Sequence, residues 1–394
     1  MRTNRLAINL CLLLPARCSA AAFAASIPGL TALWADRGLS RGDFYLLEIL
    51  FALALLVLEV ATGRLADRLG KVFTMRLSFI ALIAGAFVYG AATGFAGFVW
   101  GEVLVALGIA LMSGTDEAFL FQSCRALNRE DDFQKWWSCS IGASFLAMAL
   151  FAIAGAHLSA ISLSAPYLLV TGFQILGLLL SCGMVEPPKL PPDMAASSCG
   201  TLREAISSIL LSSALIRWMA IAPGFLAGLN QTLLWMYPEF LAECNIGRAE
   251  TGYIFALFNL VAGATAMGMR EIKDPRRAAH IMFALMIALG GSILGLATVV
   301  GGLAWMLILP QQIVRSMSGA LFSHSINQAI PDVVRATALS VRNALRVLLY
   351  VAVMVPWWLG VDHLGRNGMF CVNLLMLTVG GALLWVTSPR VLRW

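Results

Sequence analysis

Gly63-Arg64-Leu65-Ala66-Asp67-Arg68-Leu69-Gly70-Lys71 is a short charged stretch bracketed by glycines and caught between two long apolar runs. The run before it, residues 44–62, and the run after it, residues 73–92, each approach the ~20 residues that cross a bilayer as helix. The stretch therefore reads as a tight loop at a membrane surface, and its basic residues mark that surface as cytoplasmic.

Composition points the same way. The chain of 394 residues is 60% hydrophobic and 12% charged, with a mean hydropathy of +0.83. A soluble chain of this size needs far more charge to cover its surface. Barrel strands are too short and too alternating to give such runs. The net charge of +6 does not mark a nucleic-acid partner, because the basic residues sit in short loops between apolar runs. The eight cysteines form no C-x-x-C pair, so neither a disulfide framework nor a metal site is expected, and no cofactor. The phosphate-binding pattern G-x-x-x-x-G-K-[ST] is absent, which leaves no ATP site within this sequence.

Taken in order, helix one is expected from Leu6 to about Leu33, with Arg17 near its middle. Helix two precedes the opening stretch and helix three follows it. Helix four ends near Phe121, and Trp136–His157 and Pro166–Val185 make helices five and six. A linker rich in proline and small residues begins at Glu186-Pro187-Pro188, with a short surface helix over Arg203–Leu211. Six further spans are expected at 217–241, 251–269, 278–299, 303–329, 338–360 and 368–387. Arginine and lysine crowd one side of this arrangement, and only Arg37, Arg41, Arg248 and Arg366 fall opposite. Both termini are thus expected in the cytoplasm.

Between the second and third of about twelve spans, the opening stretch resembles the pattern G-x-L-x-D-R-x-G-R/K of the major facilitator superfamily. Gly63, Leu65, Asp67, Arg68, Gly70 and Lys71 match, while Val72 stands where a further basic residue is common. The resemblance implies an all-α integral membrane protein of twelve transmembrane helices in two six-helix pseudo-symmetric halves. Those halves would be residues 1–185 and 209–394, joined by a cytoplasmic linker over 186–208. Residues 269–277 would be a degenerate copy of the motif, keeping its charge and losing its glycine spacing. Helices one, four, seven and ten would line a central cavity, with substrate near the midplane.

Ionisable side chains at membrane depth are costly unless paired or facing water. By depth they form two groups. The inner group holds Glu59, Asp116, Glu117, Arg342 and Arg346, and with Gly63, Asp67, Arg68 and Gly70 it is expected to gate the cytoplasmic side. The deeper group holds Arg17 and Arg315, one in each half, and these suit a carboxylate or phosphate because guanidinium is always charged and binds such groups bidentately. Gln231, Trp235 and Gln311 join them as expected substrate contacts. Pairing of Arg17 with Glu48 is the structural alternative. Glu48 and Glu102 lie in the outer half of the membrane and are the candidates for carrying a coupling proton.

The function expected is secondary active transport of a small organic solute by alternating access. It would be proton-coupled and directed to an anionic or zwitterionic substrate. The alternative is proton-driven efflux of drug-like amphipathic compounds, whose signature would be an acidic residue in helix one. Twelve spans with no nucleophile–histidine pair argue against an enzyme. The expected partners are the substrate, H+ and the lipid bilayer, with no nucleic acid. A monomer in a bacterial-type inner membrane is expected.

Overall fold

No water is available in the hydrocarbon core, so a spanning chain must satisfy its backbone within itself, and helix is the form that does so locally. The computed structural model describes residues 2–62, 65–188, 213–268, 272, 274–318, 321–322, 325–326 and 335–389; for 2–5, 60, 61, 67 and 335–340 it describes the backbone alone. Every element among these residues is helical. The helices are α1 (Arg2–Ala20), α2 (Ile27–Asp36), α3 (Arg41–Thr62), α4 (Leu65–Leu69) and α5 (Lys71–Ala91). They continue as α6 (Phe95–Met112), α7 (Thr115–Ala126), α8 (Phe133–Ile161) and α9 (Ala165–Cys182). The second half of the sequence holds α10 (Ala214–Leu233), α11 (Tyr237–Glu243), α12 (Arg248–Gly268), α13 (Pro275–Thr298), α14 (Leu309–Met317) and α15 (Arg335–Thr387).

Eight of the described helical stretches are long and apolar enough to cross a membrane. That number is smaller than the spans expected from sequence, and the reasons are local. The α15 rod is two helices run together, because Gly365 inside it is not helical (φ 63°, ψ −176°). The 22-residue α3, the second expected span, is not among the eight. The seventh and tenth expected spans are interrupted by single turns of 3₁₀ helix at Leu234–Met236 and Ala304–Ile308.

The chain divides into two compact units, Met1–Leu190 with Ile246–Gly263, and Pro191–Asn245 with Ala264–Trp394. In the first unit α5 packs against α6 and α9, and α1 packs against α7, α8 and α9. Leu13, Met75, Phe79, Phe119 and Leu120 fill the space between them. Most of α12 belongs to this unit as well. Its Gly252 sits where an added Cβ would lie 2.6 Å from Ala156 Cβ of α8, the close approach small residues permit between helices in lipid.

Helix one is not the continuous rod expected. It breaks into α1, a 3₁₀ turn over Ala21–Ala25, and α2. Pro15 lies inside α1, Ser26 returns its hydroxyl to the Phe23 carbonyl at 2.8 Å, and Gly155 of α8 leaves room for the Ala25 backbone. Helix four likewise divides at Ser113-Gly114, where Gly114 takes a left-handed conformation (φ 71°) and α7 begins.

The first unit is tied together beside the opening motif. Gly70 has φ 96° and ψ 152°, a region essentially reserved for glycine. The Glu186 carboxylate rests on the free backbone of the helix that follows, accepting from Lys71 N at 2.7 Å and Val72 N at 2.8 Å. A carboxylate there satisfies donors that have no intrahelical acceptor and favours the positive end of the helix dipole. Asn9 of α1 holds the segment just before it, donating to Val185 O at 2.8 Å and accepting from Val185 N at 2.9 Å. Glu186, read from sequence as the first residue of a linker, is instead the cap of α5. The expected helix over Arg203–Leu211 lies outside the described residues, and so do Gly63 and Arg64 of the motif and part of its expected echo.

In the second unit α10 and α13 pack on α15, and Trp218 donates its indole N–H to Leu384 O at 2.8 Å. Arg366, just after the Gly365 break, pairs with Glu243 of α11 at 2.5 Å. Its guanidinium also lies over Phe240 and Phe370, 5.2 and 5.7 Å from the ring centres.

The cap predicts a graded series. Glu186→Ala should destabilise the protein by about 1 kcal/mol, the usual cost of a lost helix cap, and Glu186→Gln by less. Gly70→Ala should cost more, about 1–3 kcal/mol, because it adds backbone strain and places a Cβ 3.0 Å from Glu186 Cδ. Thermal unfolding in detergent measures the order; equal melting temperatures for Glu186→Ala and wild type would remove the cap from this account.

Candidate functional site

The candidate polar groups fall into three clusters, two in the first unit and one in the second. The first is centred on Arg17. Its Nη1 donates to Asp116 Oδ2 in a close ion pair, with side-chain exposures of 18% and 12%. The guanidinium lies 4.3 Å from the centre of the Trp137 ring on α8, a distance suited to cation–π attraction. Asp116 stands in the first turn of α7 and also accepts from Glu117 N at 2.8 Å. Glu117 beside it is exposed. Among the described residues the buried Nε of Arg17 has no hydrogen-bond partner.

This cluster corrects the division by depth made from sequence. Arg17 and Asp116 were placed in separate groups, one deep and one near the cytoplasm, and the structure joins them. The α1–α7 packing and the break at Gly114 bring the first turn of α7 up to Arg17. The pairing of Arg17 is with Asp116, not with Glu48. Trp137 was not foreseen, since a tryptophan near the end of an apolar run looks like an interface anchor.

The second cluster is acidic and buried. Glu48 on α3 and Glu102 on α6 are each 6% exposed. Tyr89 of α5 donates its hydroxyl to Glu102 Oε1 and stacks on Tyr167 of α9, with ring centres 5.3 Å apart and planes 10° from parallel. The aromatic partners were legible only as apolar helix residues.

The third cluster is a continuous hydrogen-bond chain in the second unit. Arg315 Nη1 donates to Gln312 Oε1 at 3.2 Å, and Gln312 Nε2 donates to Tyr237 Oη at 3.5 Å. Tyr237 donates to Gln311 Oε1 at 2.5 Å, Gln311 Nε2 to Ser292 Oγ at 2.7 Å, and Ser292 to Leu307 O at 2.5 Å. Every donor points the same way, so each bond polarises the next. Gln311 and Gln312 are 0% and 1% exposed. Both ends of the Gln311 amide are engaged inside the unit, and a ligand would have to break those bonds to reach it. Trp235 is buried in the 3₁₀ turn before α11, and Gln231 is half-buried on α10.

The expected gating residues are dispersed over both units. Arg68 is exposed on α4, and Gly70 precedes α5 under the Glu186 carboxylate. Arg342 is half-buried on α15; Arg346 is exposed and donates to Asn343 at 2.9 Å. The Asp67 side chain and Gly63 lie outside the described residues.

No protein-family model matches this sequence. No curated protein matches it either. Solved structures do. The nucleoside transporter NupG is similar at a TM-score of 0.74 with 12% identity, over 99% of this chain and 100% of that one. A bacterial homologue of the human lysosomal transporter Spinster, in an inward-facing unoccupied conformation, is similar at 0.69 with 16% identity, over 100% and 98%. A D-xylose–proton symporter is similar at 0.66 with 14% identity, over 99% and 98%. Likeness at these identities establishes the fold: the chain is a multi-pass membrane protein with the major facilitator fold.

The polar chain of the second unit gives a double-mutant prediction. Tyr237→Phe leaves the buried Gln311 carbonyl without its donor and should cost about 1–3 kcal/mol. Gln311→Leu should cost a similar amount by stranding Tyr237 and Ser292. Because the two act on one bond, the double variant should fall short of the sum by about 1 kcal/mol. Unfolding in detergent of the two singles and the double measures this. Additive losses would mean that the chain is not energetically connected.

Proposed function

We propose that this protein is a secondary active transporter of a small organic solute bearing a carboxylate or phosphate, moved by alternating access and coupled to protons. The observation that carries the reading is Arg17. It is a cation in the middle of the first span, held over the Trp137 ring, and engaged with Asp116 through Nη1 while its Nε–H has no acceptor among the described residues. Guanidinium offers two parallel N–H groups to an oxyanion, so this geometry leaves one edge of a bidentate site in reserve. Arg315 supplies a second cation in the other unit, oriented by Gln312. Transporters of the same fold move nucleosides and, with protons, D-xylose. That range makes solute transport the natural use of the scaffold without naming this chain's solute.

The remaining parts of the proposal follow from sequence. The excess of arginine and lysine on one face of the spans places that face, and both termini, in the cytoplasm of a bacterial-type inner membrane. The protein works as a monomer and not as an enzyme. Drug efflux is the weaker reading, because the first span carries arginine where that chemistry calls for an acid.

A thermal-shift screen of the purified full chain in detergent, against metabolites and drugs, tests the proposal. A ligand bound only by the folded state stabilises it by about 2.7 kcal/mol at a hundred times its dissociation constant. Carboxylates or phosphates should raise the melting temperature of wild type, and Arg17→Gln should abolish the shift. Stabilisation by lipophilic cations alone, unchanged in Arg17→Gln, would give the efflux reading the lead.

A further inference from the structure

Asp116 uses both of its oxygens on fixed partners: Oδ2 accepts from Arg17 Nη1, and Oδ1 accepts from Glu117 N at 2.8 Å. It therefore clamps one end of the guanidinium. The Nε–H of Arg17 lies on the other edge, beside Nη2, and is buried without an acceptor among the described residues. The Trp137 ring covers one face of the group, so an oxyanion reaches that edge in the plane of the guanidinium. Beside the ion pair stands Glu117, exposed on the first turn of α7. Its charged neighbours among the described residues are Asp116 and Arg17, and it closes an ion pair with neither cation nor residue there. Arg17 is already neutralised by Asp116, which leaves the Glu117 charge over.

Resting on the anionic reading above, we infer that the solute is zwitterionic: its carboxylate takes the Nε–Nη2 edge of Arg17, and a protonated amine takes Glu117. The charges decide between the classes. The Arg17–Asp116 pair is neutral as a unit, so a solute carrying only a carboxylate brings a second negative charge beside Glu117. Like charges side by side repel, the more so where protein and lipid replace water. A solute carrying only an amine meets Glu117 but leaves the buried Nε–H stranded, and a stranded donor is costly. A zwitterion answers both demands at once and adds no net charge at membrane depth. Asp116 is not displaced in this arrangement; it holds the guanidinium by Nη1 and leaves the Nε edge to the solute. Glu117, read from sequence as part of a gate, becomes the residue that selects among carboxylates.

Thermal shift on the purified full chain at neutral pH tests this with glycine, 4-aminobutyrate and 6-aminohexanoate, each set beside the carboxylate and the amine of the same carbon number. The series spans different separations of the two charges. At least one zwitterion should bind wild type about tenfold more tightly than either of its halves, the worth of one charge-assisted hydrogen bond. Glu117→Gln should cross the order over: about tenfold weaker than wild type for that zwitterion, yet tighter than wild type for the bare carboxylate, because the repelling charge is gone. A merely structural role would weaken both ligands together. Arg17→Gln should lose zwitterion and carboxylate alike. Carboxylates bound through Arg17 with no preference for zwitterions, or a preference unchanged in Glu117→Gln, would overturn the inference and leave the anionic reading standing. No binding of any carboxylate-bearing probe would overturn both. Should Arg17→Gln fail to fold, methyl esters of the zwitterions decide on wild type, since they keep the amine and lose the oxyanion: lost binding supports two-point recognition, and binding as tight as the parent overturns it.

Discussion

A polar group at membrane depth has to find its partner inside the protein, and nearly every specific feature of this chain answers that demand. The Glu186 carboxylate on the start of α5 meets the same demand at the membrane surface. It satisfies two backbone donors at once, and Asn9 on α1 pins the segment that delivers it. The opening motif owes its second glycine to the same contact, since Gly70 has both a backbone conformation and a neighbouring carboxylate that a side chain would disturb. What looks in sequence like a charged loop signature is, on this side, a helix cap with the space it needs.

The same demand explains where the polar clusters lie. The spans that stay regular, such as α5, α8, α9 and α13, present their polar residues mostly to their own or neighbouring carbonyls: Ser78 to Gly108 and Thr171 to Tyr167 are typical. The spans that break carry the Arg17 and Arg315 clusters. The first gives Arg17 just before its 3₁₀ turn, the fourth gives Asp116 just after Gly114, the seventh gives Tyr237 just after its 3₁₀ turn, and the tenth gives Gln311, Gln312 and Arg315 just after its own. Irregular backbone inside a membrane is tolerated only where it is covered by protein or lines a polar space. A broken helix also leaves backbone groups and dipole ends near its break, which suits ions and ionised groups.

Much of this was legible in the sequence, and what was not has a physical cause. The spans are visible because twenty apolar residues in a row have few other uses, and the motif reports itself through glycines that a loop between helices requires. Arg17, Gln311 and Arg315 stood out because a polar side chain in such a run is expensive. Their partners did not. The separation by depth kept Arg17 and Asp116 apart because it treated the first and fourth helices as straight rods, whereas the break at Gly114 brings Asp116 to Arg17. Trp137 and Tyr89 carry little cost at membrane depth that marks them, so only packing reveals them. Glu186 was read by its proline neighbours as linker, which hid its side chain's destination 115 residues back at Lys71.

The two arginines of the expected clamp also prove to be held in different ways. Arg315 donates into a one-directional chain of hydrogen bonds through Gln312, Tyr237 and Gln311. Arg17 is held by a charge and by the face of an aromatic ring, with one N–H unspent. The two residues look equivalent in sequence, yet the partner seen at Arg17 is an acid and the one seen at Arg315 is an amide.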